Sequence, residues 1–385
     1  MRSARIREGG FILPLVLVLV AVIALSLVSA LGALGSVQSD LRRLRDGLEL
    51  ERVGLIAEAR VTYLLTTEPL GALGVRVGGR RISREEEFGV IRSEAAEAAL
   101  GNGPERLVRL DGRHYRFTPA QTDGPVYLLA LQDGAGLFNW NLIDEARTSR
   151  FLQAQGVEEP AARALAGAAA DFVDPDDLRR LNGAERSEYD RAGLAGPANQ
   201  AFFSVKQIVA LLGWGALAPE QQARILDESI VTDGSGPFNV HTAGSAALRA
   251  WFNLDERGAG LVRTTRETSL LRGPEDVAAL TGVPSDIDEL RIFTFPAPRM
   301  RLRLLRAGPA GVRPVDIYEA ELVLGRAGTD RPFHFDRVEF RSNVTVEVPE
   351  ANGTKDWLQE SASFGDSEPR NPNRGISTRT PTFGR

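Results

Sequence analysis

The 385-residue sequence contains no cysteine. Disulfides, thiolate nucleophiles and cysteine-ligated zinc or iron–sulfur centres are therefore excluded. Lysine is nearly missing as well: Lys206 and Lys355 are the only two, and arginine carries the remaining positive charge. The formal net charge is -5, so there is no basic excess of the kind a nucleic-acid partner demands. Only three histidines occur, His114, His241 and His334, with no HExxH and no close pair, which argues against a zinc site. There is no P-loop, no Rossmann fingerprint and no EF-hand loop. Gly234-Ser235-Gly236 lacks the spacing of a nucleophile elbow. None of the usual catalytic constellations is present, and the chain is not read as an enzyme.

What is present is ordinary in bulk and unusual in its distribution. Hydrophobic residues make up 43% and charged residues 25%, enough for a packed core. The length allows two or three folded units at about 150 residues each. A domain of that size holds together on its core without disulfides.

The N-terminus sets the class. Phe11 to Gln38 contains no charged side chain. Phe11 to Leu34 supplies the roughly 20 apolar residues that a helix needs to cross a bilayer. Arg2, Arg5 and Arg7 precede it, which places the start in the cytoplasm and the bulk outside, as a single-pass inner-membrane protein. Arg42, Arg43 and Arg45 on the far side weaken that bias. Three processing schemes remain open. The run is long for a secretory signal peptide cut after Val28-Ser29-Ala30. An uncut signal anchor is the second. The third is a prepilin leader cut between Gly10 and Phe11, which keeps the helix. Pro14 favours the third: it becomes the fourth mature residue, where the backbone N–H has no intrahelical partner to lose. Beyond the membrane, Val37, Leu41, Leu44, Leu48, Leu55 and Thr62 recur at helical spacing among arginines and glutamates. That pattern predicts an amphipathic continuation packed on a sheet.

After Tyr63 the period changes. Strands are predicted over Val75–Val77, Arg113–Phe117 and Val126–Gln132, a short helix over Glu85–Leu100, and a turn at Asp133-Gly134-Ala135-Gly136. From Asn139 to Arg272 the pattern is helical and alanine-rich. Helices are predicted over Glu145–Ala154, Pro160–Val173, Ala184–Ala192, Val205–Leu212, Pro219–Glu228 and Gly244–Phe252. A short helix after Pro274 precedes strands over Ile287–Phe295, Met300–Ala307, Val315–Leu324, Phe333–Phe340 and Asn343–Val348. The alternation Met300-Arg301-Leu302-Arg303-Leu304 predicts a sheet with one wet face. Residues 351–385 have the composition of a disordered tail. The expected domains are a leader (1–10), an N-terminal helix (11–65), a first sheet segment (66–138), an inserted α-domain (139–272) and a second sheet segment (273–350).

Local motifs in that order resemble the type II secretion minor pseudopilin K family. They are Asp133, Gly136, Asn139 and Asn141 in the Asp-x-x-Gly-x-x-Asn-x-Asn pattern, and Asp171-Phe172-Val173-Asp174-Pro175-Asp176. Asn199-Gln200-Ala201-Phe202-Phe203-Ser204 and Phe238-Asn239-Val240-His241-Thr242-Ala243 follow, with Asn182 in the same set. Phe172 stands where the family has tryptophan, Ala201 where it has proline, and His241 where it has a second asparagine. Leu15 replaces the glutamate most pilin-like subunits carry at the fifth mature position, a departure expected of a first or tip subunit. The resemblance implies an α+β pilin-like fold with a large inserted all-α domain. It implies processing by prepilin peptidase and N-methylation at Phe11. The implied role is at the pseudopilus tip, helping assembly begin. The implied partners are the I- and J-type minor pseudopilins and the inner-membrane assembly platform, with no nucleic acid. The alternative is an exported enzyme or binding protein held by an uncleaved signal anchor.

Family members have been seen with calcium, and Asp171, Asp174, Asp176 and Asp177 are candidate ligands. The competing explanation is a helix start, with Asp174 as cap, Pro175 in first position and the next two aspartates facing the helix dipole. Asp286, Asp288 and Glu289 form a second, weaker acidic group.

Overall fold

A computed structural model describes residues 12–77, 107–119, 125–142, 144–232, 238–285, 287, 292–293, 295–325 and 333–349. Helix α1 spans Ile12–Thr67, with Pro14 two residues from its described start. The Gly10–Phe11 processing site, the predicted helix over 85–100, the acidic group Asp286, Asp288 and Glu289, and the tail lie outside the described residues. The chain forms two compact units, Met1–Val53 and Gly54–Arg385.

In the first unit the helix is apolar and exposed, with a window of mean hydropathy 2.9, long and apolar enough to cross a membrane. Leu15 and its neighbours are exposed, as a lipid-facing helix requires. Val37, Leu41, Leu44 and Leu48 are exposed too, between 54% and 67%. In the second unit Thr62 of that stripe is buried together with Ala57, Val61 and Leu64, where the helix's last turns meet the sheet. Each large side chain buried there contributes about 1.5–3 kcal/mol. Gly54 is required at this contact, since a Cβ there would stand 2.6 Å from the Tyr318 ring. The Tyr318 hydroxyl donates to Glu58 Oε1 at 2.7 Å, and Arg60 donates to the carbonyls of Thr118 and Pro119.

The second unit carries its strands in two main sheets. β1 (Leu70–Gly71), β2 (Gly74–Arg76) and β3 (Leu107–Arg109) form a small antiparallel sheet. β4 (Asp111–Phe117), β5 (Tyr127–Asp133), β10 (Arg299–Arg306), β11 (Gly311–Leu324) and β12 (Phe333–Val348) form the larger one, in the order β12-β11-β10-β5-β4. β5 and β10 pair antiparallel along their whole length, from Met300↔Asp133 to Arg306↔Tyr127. Everything between them in sequence is thus inserted between two neighbouring strands. β12 is one strand where two were predicted.

The inserted stretch contains β6 (Phe138–Asn139), α2 (Glu145–Ala154), α3 (Glu159–Val173), α4 (Arg186–Arg191), α5 (Pro219–Asp227), β7 (Ser229–Ile230), β8 (Phe238–Asn239), α6 (Ser245–Phe252), α7 (Glu256–Thr265), α8 (Pro274–Thr281) and β9 (Ile292–Phe293). The predicted helix at Val205–Leu212 is a 3-10 turn over Val205–Ala210, capped by Ser204. Its aromatic core includes a Phe138–Phe151 stack at 3.9 Å and a Phe172–Phe202 stack at 4.9 Å between centroids. Asn253-Leu254-Asp255 turns α6 into α7: Asn253 takes φ 53° and Asp255 caps α7 through the Gly258 N–H at 2.7 Å. Asparagine tolerates that left-handed conformation better than most residues.

The alternation on β10 is real, but the expected wet face is not. Arg301 is 3% exposed and Glu319 2%. The helical block roofs that face, so these charges answer each other: Arg303 Nε donates to Glu319 Oε2 at 2.7 Å. Burial opposes ionisation of Glu319, yet Arg303 and Arg301 hold it down to about 2.

Candidate functional site: the junction of sheet and helical block

The motif residues that look scattered in sequence meet where β5 runs out. Asp133 ends β5 and is fully buried. Its Oδ1 accepts from the backbone N–H of Ala135 at 3.0 Å and of Ala297 at 2.8 Å. Its Oδ2 accepts from Asn239 Nδ2 and Thr242 Oγ1, both at 2.8 Å. One carboxylate therefore ties the sheet, the return strand and the second half of the block. Burial pushes Asp133 up to about 6 against the pull of these four donors. The turn it caps is the 3-10 turn Gly134–Gly136. Gly136 is obligatory there, because a Cβ would stand 2.5 Å from the Thr242 carbonyl oxygen.

Two Phe-Asn pairs mark the crossing points. β6 pairs parallel with β7, and β8 with β9. Each asparagine closes a turn onto its own chain: Asn139 Oδ1 accepts from the Asn141 N–H at 3.2 Å, Asn239 Oδ1 from the His241 N–H at 3.0 Å. Asn139 also donates to Thr232 Oγ1. Asn141 donates to the carbonyls of Phe202 and Thr232 and accepts from the Phe202 N–H, closing the loop before Ser204 onto β6. Asn182 is not brought here; it is exposed, and its side chain donates to Glu145 at 3.4 Å.

Sequence reasoning missed the arginines that complete the junction. Arg109 donates to the carbonyls of Arg266 and Glu267. Arg266 donates to those of Val240 and Ala243, and Arg301 to those of Asp227 and Ser229. All three are buried. Each uses a planar fork to satisfy carbonyls that the sheet cannot reach. His241 is also buried, with Nε2 3.0 Å from the Leu271 carbonyl, and burial lowers it to about 4. No motif signals these roles; a buried arginine in an alternating strand reads as solvent-facing.

The aspartates after α3 form a separate acidic loop. The expected helix start is corrected: Asp174 caps the C-terminal end of α3, and no helix follows until α4 at Arg186. Arg180 accounts for this, with Nε 3.1 Å from Asp171 and a terminal nitrogen 2.8 Å from Asp174. Asp176 accepts from the Leu178 N–H, and Asp177 from Asn199. Among the described residues no three acidic or histidine side chains converge on one point. Nevertheless Asp174 Oδ1, both oxygens of Glu185 and Asn199 Oδ1 are buried without a hydrogen-bond partner. Those donors fit an oxygen-ligated cation in chemistry, whereas Arg180 holds Asp171 and Asp174 on the other side.

Residues 129–225 match the family model described as type II secretion system (T2SS), protein K. No curated protein matches the sequence. Among solved structures, the chain resembles one chain in the crystal structure of the GspK-GspI-GspJ complex from the enterotoxigenic Escherichia coli type 2 secretion system. The identity is 15%, covering 64% of this chain and 85% of that chain, at a TM-score of 0.44, too loose an overlay to place partners or side chains. The residues that match the type II secretion system protein K model run from β5 through the Phe138–Asn141 crossing to α5.

Proposed function

We propose that this chain is a minor pseudopilin of the K type, anchored by α1 in the inner membrane, with its sheet and helical block in the periplasm. One observation carries the proposal: a protein K domain is inserted between neighbouring strands of a sheet that packs on the end of an apolar, exposed N-terminal helix. A single helix supplies the anchor and the sheet supplies a pilin-like body. The inserted block adds bulk to that body, which suits the end of a filament better than its shaft. In lipid, helices gain no hydrophobic drive to associate, so packing of α1 and contacts of the folded unit must recruit neighbours. The exposed stripe Val37, Leu41, Leu44 and Leu48 extends the surface available for that packing beyond the bilayer. No step of this role is chemical. Calcium, when bound in the loop after α3, would neutralise the oxygens of Asp174 and Glu185.

Co-expression of the full chain with I- and J-type minor pseudopilins of the same secretion system tests the proposal. Co-purification as a stoichiometric complex from detergent-solubilised membranes is expected. Recovery of the chain alone, with both candidates expressed and folded, contradicts it and favours an exported protein on a plain anchor.

A further inference from the structure

A cavity of about 300 Å³ lies between the larger sheet and the helical block. Small residues leave the room for it: Ala130 lies on its sheet side, and Gly112, Gly136 and Gly244 border it. Leu305, Ile317 and Val346 give it an apolar wall. Charge in the lining is already settled. Asp111 is answered by Arg113, Asp227 by Arg303, and Arg301 by Glu319 and Glu321. The oxygen of Glu228 that lacks a partner has no accessible surface and does not face the space.

Two uncharged polar groups in the lining stay open. His114 is half-buried, and its ring makes no hydrogen bond among the described residues, yet neither ring nitrogen is sealed off. Gln132 spends Nε2 on the carbonyls of Asp133 and Thr242, which leaves Oε1 unpartnered and accessible. The strand register brings the two together. His114 on β4 stands opposite Ala130 on β5, and Gln132 is the next β5 residue on that face. Such diagonal neighbours lie about 7–8 Å apart, within reach of each other's long side chains. Burial, and after it Arg303, lowers His114 to about 4, so near neutral pH the ring is uncharged and donates from one nitrogen. A hydroxyl suits this pair, since it accepts from a ring N–H and donates to an amide oxygen at once. A charged ligand would leave water with no free counter-charge to meet it.

We propose that this cavity binds a small uncharged molecule of the phenol or alcohol class, its hydroxyl between His114 and Gln132 Oε1 and its apolar body against Leu305, Ile317 and Val346. The size and lining are those of small-molecule pockets, in which a few polar groups set orientation within an apolar wall.

The test exploits the chain's three histidines. Nitrogen-15-labelled histidine in the full chain in detergent micelles gives few ring signals, and His114→Gln assigns the one from His114. The probes are p-cresol, toluene, which lacks the hydroxyl, p-toluate, which is anionic, and 4-methylbenzylamine, which is cationic. Millimolar p-cresol is expected to shift the His114 ring signal saturably and to leave those of His241 and His334 in place. Each of the other three probes is expected to bind about tenfold or more weakly, the worth of one hydrogen bond. Val346→Trp, which fills the space from the partly buried end of the wall, is expected to abolish the shift. No saturable shift with p-cresol overturns the proposal, and so does equal binding of toluene or of either charged probe. An undiminished response in Val346→Trp overturns it as well. If that variant does not fold, the probe series on the natural sequence decides.

Discussion

The four hydrogen bonds on Asp133 permit a swap experiment. Asp133→Asn retains Oδ1 for the Ala135 and Ala297 N–H groups but turns a donor toward Asn239 Nδ2 and Thr242 Oγ1. The Thr242 hydroxyl can rotate to accept. Asn239 cannot flip without giving up the His241 N–H that its Oδ1 holds. Two buried donors are left facing each other, at a cost of about 2–4 kcal/mol. Asn239→Asp alone places two carboxylates against each other in a buried site and costs at least as much. In the double variant every donor and acceptor reverses together. The new amide at position 133 donates to the new carboxylate at position 239, whose second oxygen still accepts from the His241 N–H. More than half of the summed loss should return, a coupling of about 2 kcal/mol or more. Thermal unfolding followed by differential scanning fluorimetry reads this as a fall of roughly 3–6 °C for each single variant, with partial recovery in the double. Single variants within 2 °C of the natural protein would refute the assignment of Asp133 as the tie. So would strictly additive losses in the double variant.

The remaining expectations are more local. His241 has its pKa lowered by burial from 6.5 to about 4, so its contribution is whole above the ordinary value and is lost as pH falls toward 4. His241→Asn should therefore lose about 2 kcal/mol less than the natural protein between about pH 7 and pH 5, read from melting curves; parallel pH profiles would contradict this. Gly136→Ala pushes a methyl into the Thr242 carbonyl and should destabilise by about 1–3 kcal/mol, measured by the same melts, where an unchanged melting temperature would show the turn to be slack. If the buried oxygens of Glu185 and Asp174 are cation ligands, calcium added to metal-free protein should raise the melting temperature by about 3 °C, with no rise in Glu185→Gln. An identical melt with chelator and with calcium would instead assign that loop's charge balance to Arg180.

Local periodicity made much of the molecule legible. Glu145–Ala154 appears with the predicted bounds because Asp144 caps it and its apolar residues repeat at helical spacing. The Asp133, Asn139, Asn141, Asn239 and Thr242 positions were legible as a set, and all five make junction hydrogen bonds. Long-range packing was hidden. Arg301 and Arg303 read as a wet strand face because nothing local reveals that an inserted block will cover them. Asp174 ends a helix instead of starting one because Arg180, six residues on, draws it back. α7 was missed since Glu256–Thr265 contains two glycines and two threonines, which are weak in intrinsic helix propensity.

The nature of the anchor is tested most directly by mass spectrometry of the N-terminus of the membrane-extracted chain from cells that carry the prepilin peptidase. The account predicts a protein that begins at N-methylated Phe11 with its apolar helix intact. A protein that begins near Leu31, or one still carrying Met1, would contradict it.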